Sequence, residues 1–132
     1  MPSEETAATA GCVVTMASAT ARLIEDRSLS KGDVLGVARI AGILAAKRTG
    51  ELLPLVEEAL LGAVEIDFEL ADSTLLVTAR VQPRDGVDGT MAALTACAVA
   101  ALTVYDMCKA VDRSMAIGEL TSKTPPGSTE EI

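Results

Sequence analysis

The stretch VEIDFEL, residues 64–70, alternates apolar and acidic side chains without a break. A period of two residues is typical of a strand that buries one face and exposes the other. The segment LLVTARV, residues 75–81, repeats the alternation after a short turn. We therefore predict an antiparallel hairpin with a solvated, non-functional acidic face of Glu65, Asp67 and Glu69. We expect Arg80 on the second strand to lie close enough to offset part of the repulsion between these acids.

The sequence predicts helices on both sides of this hairpin. Residues 7–26 (AATAGCVVTMASATARLIED) approximate the spacing of one apolar helix face, so we expect a first helix there. A second helix is predicted from Val34 to about Thr49, with Asp33 as N-cap and Gly50 as the stop. The longest helix is predicted from Gly89 to about Asp112, followed by a short strand at Met115–Leu120.

The longest predicted helix is apolar on nearly all sides. Its uncharged run, residues 89–105, spans 17 residues, the lower limit for crossing a membrane. The run is rich in alanine and no basic flank precedes it, so we interpret it as a buried helix of a globular protein. A thin domain cannot cover every side of such a helix. We therefore predict a homo-oligomer larger than a dimer.

Length and composition narrow the class of protein. The 132 residues suit one domain, residues 1–132, with flexible tails expected at 1–6 and 121–132. The net charge of −8 argues against binding to nucleic acid or to an anionic membrane surface. The chain contains no histidine, which excludes a Ser-His-Asp or Cys-His nucleophile, an imidazole base and any histidine metal site.

The three cysteines are expected to be reduced. Cys97 and Cys108 are eleven residues apart on the predicted helix, a rise of about 16 Å. That separation is too long for a disulfide within one chain. The first residues carry two glutamates and no basic region, so we expect no signal peptide and a cytoplasmic location.

Three places carry polar groups that the fold does not obviously require. Ser30–Asp33 combines a lysine and a glycine at a helix start, which favours an anion site or a simple capped helix with a solvated lysine. Tyr105–Lys109 ends the apolar helix with Asp106 and Lys109 at i, i+3 spacing, which indicates a cleft or a surface ion pair. Glu57 and Glu58 are either functional or merely solvated acids. No spacing of metal ligands is present.

Two blocks of the sequence resemble a known family. The first contains KGDV (31–34), ARIAGI (38–43) and AAKRT (45–49), and the second contains ALTA (93–96) and VAALTVYDMCKAV (99–111). They resemble the cyclic pyranopterin monophosphate synthase accessory protein family, the MoaC family of molybdenum-cofactor biosynthesis. The resemblance runs from about Gly11 to Gly118.

The resemblance implies a fold, an assembly and an activity. The fold is α+β, with an antiparallel sheet covered by helices on one face in a ferredoxin-like arrangement. The assembly is dimer-based, a hexamer with active sites at subunit interfaces. Family members convert a cyclised dihydro-GTP derivative into cyclic pyranopterin monophosphate and release pyrophosphate. The family's active-site lysine, aspartate and second lysine fall on Lys31, Asp106 and Lys109.

The chain departs from the family pattern in three segments. Leu55-Val56-Glu57-Glu58 stands where the family has Leu-Cys-His-Pro, so Glu57 occupies the histidine position. Thr90-Met91-Ala92 replaces Glu-Met-Glu, and Pro125–Ser128 replaces Gly-Gly-Lys-Ser. These changes predict a site that is less polar and less suited to a triphosphate.

Three functions remain open from the sequence. The leading hypothesis is a small-molecule cyclase or lyase repurposed on this scaffold, in a specialised biosynthetic pathway. The alternatives are cyclic pyranopterin monophosphate synthesis with Glu57 in place of the histidine, and a non-catalytic binding or assembly subunit. We expect a small-molecule substrate and neither metal nor cofactor. The predicted catalytic residues are Lys109 and Asp106, and the predicted substrate-binding residues are Lys31, Glu57, Thr90 and Arg39.

Overall fold

The computed structural model of the chain describes residues 7–56, 61–84 and 88–123. In chain order its elements are β1 (Ala8–Thr15), α1 (Ser18–Glu25), α2 (Val34–Lys47), α3 (Thr49–Leu52), β2 (Leu61–Leu70), β3 (Thr74–Pro83), α4 (Thr90–Cys108) and β4 (Ala116–Ser122). Within these residues the strands form a four-stranded antiparallel sheet in the order β2-β3-β1-β4. This order and the succession of elements make a βαββαβ ferredoxin-like arrangement, which confirms the predicted α+β class.

The hairpin predicted from VEIDFEL is the β2–β3 pair. Glu65 lies opposite Arg80, as expected from the sequence. The side chains of Glu65, Asp67 and Glu69 are exposed on the sheet face opposite the helices. Ile66 points the other way and is buried against the helix layer.

Helices α2 and α4 pack against each other and cover one face of the sheet. Small residues let them approach closely, since a Cβ on Gly42 would clash with Ile66 and lie 2.9 Å from the Ala96 carbonyl oxygen. Asp33 caps α2 as predicted, accepting a hydrogen bond from the Gly36 N–H at 3.1 Å. The core between the helices and the sheet consists mainly of alanine, valine and cysteine, which agrees with the low aromatic content.

The predicted helix over residues 7–26 is wrong in its first half. Residues 8–15 form β1, a central strand paired with both β3 and β4, and only Ser18–Glu25 is helical. In β1 the buried side chains recur at every second position, as in Ala8, Ala10 and Cys12. Hydrogen bonds to two neighbouring strands outweigh the weak preference of alanine for helix.

Helix α4 is long and apolar enough to cross a membrane by length and composition alone. In the structure half of that apolar window is buried, because α4 packs on α2 and on strands β1, β3 and β4. Packing inside the fold therefore accounts for much of the apolar character that the sequence showed.

The end of the last strand differs from the prediction. Thr121 and Ser122, assigned from the sequence to a tail, are the last residues of β4. The Lys123 N–H donates to the Thr9 carbonyl, which holds this end against β1. The rest of the expected tails, residues 1–6 and 124–132, lies outside the described residues.

Candidate functional site

Three of the predicted site residues meet where α2 begins and α4 ends. Lys31 lies in the turn before α2, and its Nζ donates to the Asp106 carbonyl oxygen at 3.4 Å. Asp106 is in the last turn of α4, and its Oδ1 lies 2.9 Å from the Nζ of Lys109. We call Lys31, Asp106 and Lys109 the lysine–aspartate cluster. The antiparallel packing of α2 on α4 brings together two motifs that are 75 residues apart in sequence.

The cluster is open to solvent and carries a net positive charge. The side chains of Lys109 and Asp106 are 47% and 66% exposed. The hydrogen bond from Lys109 and its charge, with a smaller effect of the Lys31 charge, lower the pKa of Asp106. Asp106 therefore stays a carboxylate at neutral pH, and the two ammonium groups leave one positive charge for an incoming anion.

A buried carboxylate lies just after the cluster in the sequence. Asp112 follows α4 and is only 6% exposed. Its Oδ2 accepts from the Ala17 N–H at 2.9 Å and the Thr20 hydroxyl at 2.8 Å. Its Oδ1 accepts from the Ser114 N–H at 2.9 Å and the Ser114 hydroxyl at 2.6 Å. Led by the Ser114 hydroxyl, these bonds hold the pKa of Asp112 well below its usual range.

Asp112 thereby ties the end of α4 to the junction between β1 and α1. It lies six residues after Asp106, so these bonds hold the segment that directly follows the turn of α4 carrying the cluster. Sequence reasoning missed its role. The pattern Asp112-x-Ser114 after a helix is a signal for a side-chain turn, but nothing local indicates Ala17 and Thr20 as partners.

Arg39 is not part of the cluster. Its Nε donates to the Ile66 carbonyl at 3.0 Å, on the open edge of β2, and its guanidinium lies 5.2 Å from the centre of the Phe68 ring. It borders a shallow groove of about 400 Å³ between α2 and β2, which Ile43 and Val64 also line. These contacts give Arg39 a structural task, since they fasten α2 to the edge strand.

Thr90 is at the opposite end of α4. Its N–H donates to the Asp88 carboxylate at 2.9 Å. Sixteen residues separate Thr90 from Asp106 along the helix, a rise of about 24 Å. Ala92, where the family has its second glutamate, is buried, so no polar group lies there. Glu57 falls outside the described residues.

The described residues contain no group of three or more metal-binding side chains. A single chain thus brings Lys31, Asp106 and Lys109 together but leaves Arg39 and Thr90 elsewhere. The ammonium groups of Lys31 and Lys109 can bind an anion, and Asp106 can hold the ammonium group of Lys109 in place.

The fold is ferredoxin-like, with the lysine–aspartate cluster where α2 begins and α4 ends, and the sequences of known proteins identify the family. Residues 2–124 match the model of the MoaC family. Cyclic pyranopterin monophosphate synthase of Peptoclostridium acidaminophilum is 42% identical over 113 residues, covering 86% of this chain and 72% of that protein. Cyclic pyranopterin monophosphate synthase 1 of Mycobacterium tuberculosis strain H37Rv, and its counterpart in Mycobacterium bovis, are 46% identical over 128 residues. Those matches cover 95% of this chain and 74% of each relative.

The chain therefore belongs to the MoaC family, which confirms the resemblance noted in the sequence. The names of these relatives favour pyranopterin synthesis, the first alternative, over the leading hypothesis of a repurposed cyclase. Both hypotheses agree with the prediction of a small-molecule substrate.

Proposed function

We propose that this chain is a cyclic pyranopterin monophosphate synthase of molybdenum-cofactor biosynthesis. The lysine–aspartate cluster carries the proposal, because it places two cations around a permanent carboxylate on the scaffold shared with the relatives of that name. We include in the proposal the predicted cytoplasmic location and a small-molecule partner.

The chemistry of the reaction assigns roles to the cluster. Forming a cyclic monophosphate from a triphosphate requires attack of a substrate hydroxyl on the innermost phosphorus and departure of pyrophosphate. The negative charge that builds up on the leaving group needs fixed cations. We assign this stabilisation to Lys31 and Lys109.

Asp106 is a positioning group in this proposal. A carboxylate with a lowered pKa is a poor proton acceptor, and it donates no proton at neutral pH. Its 2.9 Å contact to Lys109 fixes the direction of that ammonium group. This refines the acid–base pair expected from the sequence, with Lys109 as the group that meets the substrate.

The exposure of the cluster argues for a second copy of the chain. Exposed ion pairs are weak and are screened by salt, so the site needs a cover to act strongly on a substrate. Val37, Ile40 and Leu44 form an exposed apolar stripe on α2, with Ile40 61% exposed. Leu102 on α4 is 57% exposed. We propose that these side chains pack against another subunit in a dimer-based oligomer.

A second copy also gives the remaining predicted residues a role. The rise of about 24 Å between Thr90 and Asp106 exceeds the length of a nucleotide-sized substrate. We propose that Thr90 and Glu57 contact substrate held by the cluster of a neighbouring copy. Arg39 is also predicted to contact substrate. Because its Nε is bound to the Ile66 carbonyl, this contact would use the two terminal nitrogens of the guanidinium.

The test is turnover of the cyclised dihydro-GTP derivative, read out as pyrophosphate release and as product mass. Lys109→Ala is expected to lose about a hundredfold in kcat or more, the usual scale for a group acting directly on the reaction. Its melting temperature should not change, because the side chain is half exposed and makes one surface ion pair. The matched control is Arg22→Ala, which removes an exposed cation from α1 and should keep full activity.

The second candidate is a cyclase or lyase with a different substrate. Two observations favour it: the sequence contains no histidine, and Thr90 and the buried Ala92 stand at the family's glutamate positions. A folded wild-type protein that does not turn over the cyclised dihydro-GTP derivative would support this candidate and overturn the proposal. Normal turnover by Lys109→Ala would remove the cluster from the mechanism.

A further inference from the structure

The core contains two thiols in direct contact. Cys12 on β1 and Cys97 on α4 are 1% and 0% exposed. Their sulfur atoms lie 3.3 Å apart, closer than an ordinary contact between two thiols. The Cys97 Sγ also lies 3.4 Å from the Val77 carbonyl oxygen. The proposed reaction uses neither side chain, since both lie away from the lysine–aspartate cluster.

We propose that Cys12 and Cys97 form a latent disulfide, a site of reversible oxidation that fastens the last long helix to the central strand. A disulfide has a sulfur–sulfur distance near 2.05 Å, so the two atoms need to approach by about 1.3 Å. The helix face around Cys97 carries the small residues Ala93, Ala96 and Ala100, which leave α4 close to the sheet.

The surroundings of the two sulfurs assign them different parts in the reaction. The hydrogen bond from Cys97 lowers the pKa of Cys12, whereas that bond and burial raise the pKa of Cys97. Cys12 is therefore the sulfur that ionises first, and a thiolate is the nucleophile in thiol oxidation.

The proposed oxidant is hydrogen peroxide, a small two-electron oxidant, because both sulfur atoms are almost fully buried. The Cys12 thiolate attacks one peroxide oxygen, the O–O bond breaks, and a sulfenic acid and hydroxide form. The Cys97 sulfur then displaces the sulfenic oxygen as water, and the sulfur–sulfur bond forms. One peroxide accepts two electrons from the two thiols and becomes two waters.

The third cysteine provides an internal control. Cys108 is eleven residues beyond Cys97 on α4, a rise of about 16 Å, so it cannot reach the pair. Burial, assisted by the charge of Asp112, raises the pKa of Cys108, so Cys108 does not replace Cys12 as the thiol that ionises first. It should keep its free thiol when the pair is oxidised.

The experiment treats the folded full-length chain with hydrogen peroxide, stops the reaction with catalase, and counts free thiols by alkylation in denaturant and mass spectrometry. The count should fall from three to one, and dithiothreitol should restore it. In Cys108→Ala it should fall from two to none. Because the bond closes a long loop, the oxidised form should melt about 5–15 °C higher than the reduced form.

Two results would overturn the proposal. One is a full count of free thiols at a peroxide dose that oxidises the same concentration of glutathione completely. The other is a disulfide that still forms in Cys12→Ala or Cys97→Ala, since the bond would then involve Cys108. Pyranopterin turnover plays no part in these readouts, so the outcome is independent of the proposed function.

Discussion

Replacing Asp112 by alanine is expected to lower the free energy of unfolding by about 3 kcal/mol. The substitution leaves the N–H groups of Ala17 and Ser114 and the hydroxyls of Thr20 and Ser114 without their acceptor. Each lost partner costs about 1–3 kcal/mol when it is buried, and the total stays near 3 kcal/mol because three of the four groups are only partly buried and can bind water instead. For a chain of this length, about 3 kcal/mol corresponds to a fall in melting temperature of about 10 °C.

The same anchor predicts how stability depends on pH. The pKa of Asp112 is lowered in the folded chain, so the folded state binds its proton more weakly than the unfolded state does. The carboxylate therefore contributes its full stability above the ordinary aspartate pKa of about 3.9, and the contribution falls as the pH drops below that value. Asp112→Asn should reduce this loss of stability between about pH 4 and pH 2.

Urea unfolding followed by circular dichroism measures both effects. The matched control is Asp106→Ala, which removes an exposed carboxylate from the last turn of α4 and should leave the unfolding midpoint unchanged within error. An Asp112→Ala midpoint equal to that of the wild type would refute the reasoning, since the four hydrogen bonds would then contribute nothing. A large loss in Asp106→Ala would show that the end of α4 depends on the exposed ion pair instead.

Three further changes test the packing and the assembly. Gly42→Ala should cost about 1–3 kcal/mol in urea unfolding, because its Cβ would lie 2.9 Å from the Ala96 carbonyl oxygen; an unchanged midpoint would mean that α2 is not held this close. Ile40→Glu should reduce the oligomer mass measured by light scattering while leaving the circular dichroism spectrum intact; a wild-type chain that is already monomeric at micromolar concentration would contradict the proposed assembly. Arg39→Met should lower the free energy of unfolding by at most about 1 kcal/mol, because it removes the bond to Ile66 and the contact with the Phe68 ring. If Arg39 binds substrate as predicted, the same variant should also raise KM.

Much of the fold follows from local patterns in the sequence. The alternation in residues 64–70 and its repeat in residues 75–81 were enough to predict β2, β3 and the exposed acidic face. Asp33 marked the start of α2 through a bond that reaches only three residues along the chain. In each case the forces that decide the structure act between near neighbours.

The first strand could not be predicted in this way. Residues 8–15 are rich in small residues that tolerate either helix or strand, and their choice depends on pairing with β3 and β4, which are distant in sequence. This error concealed the contact between Cys12 and Cys97. If Cys12 is placed on a helix, only the spacing of Cys97 and Cys108 can be judged, and that pair is correctly excluded.

The site was partly predictable for the same reason. Asp106 and Lys109 are helix neighbours, so their ion pair follows from spacing alone. The contact of Lys31 with the end of α4 depends on how the helices pack, and only the family resemblance grouped these residues beforehand. The bonds of Asp112 to Ala17 and Thr20 join segments more than 90 residues apart, and no local pattern encodes them.

The most direct test of the central claim is the rate at which wild-type protein converts the cyclised dihydro-GTP derivative into cyclic pyranopterin monophosphate, compared with Lys109→Ala under the same conditions. The account predicts stoichiometric pyrophosphate release by the wild type and a loss of about a hundredfold or more in the variant at an unchanged melting temperature. Equal rates in the two proteins, or no product from a folded wild-type oligomer that binds the substrate, would contradict it.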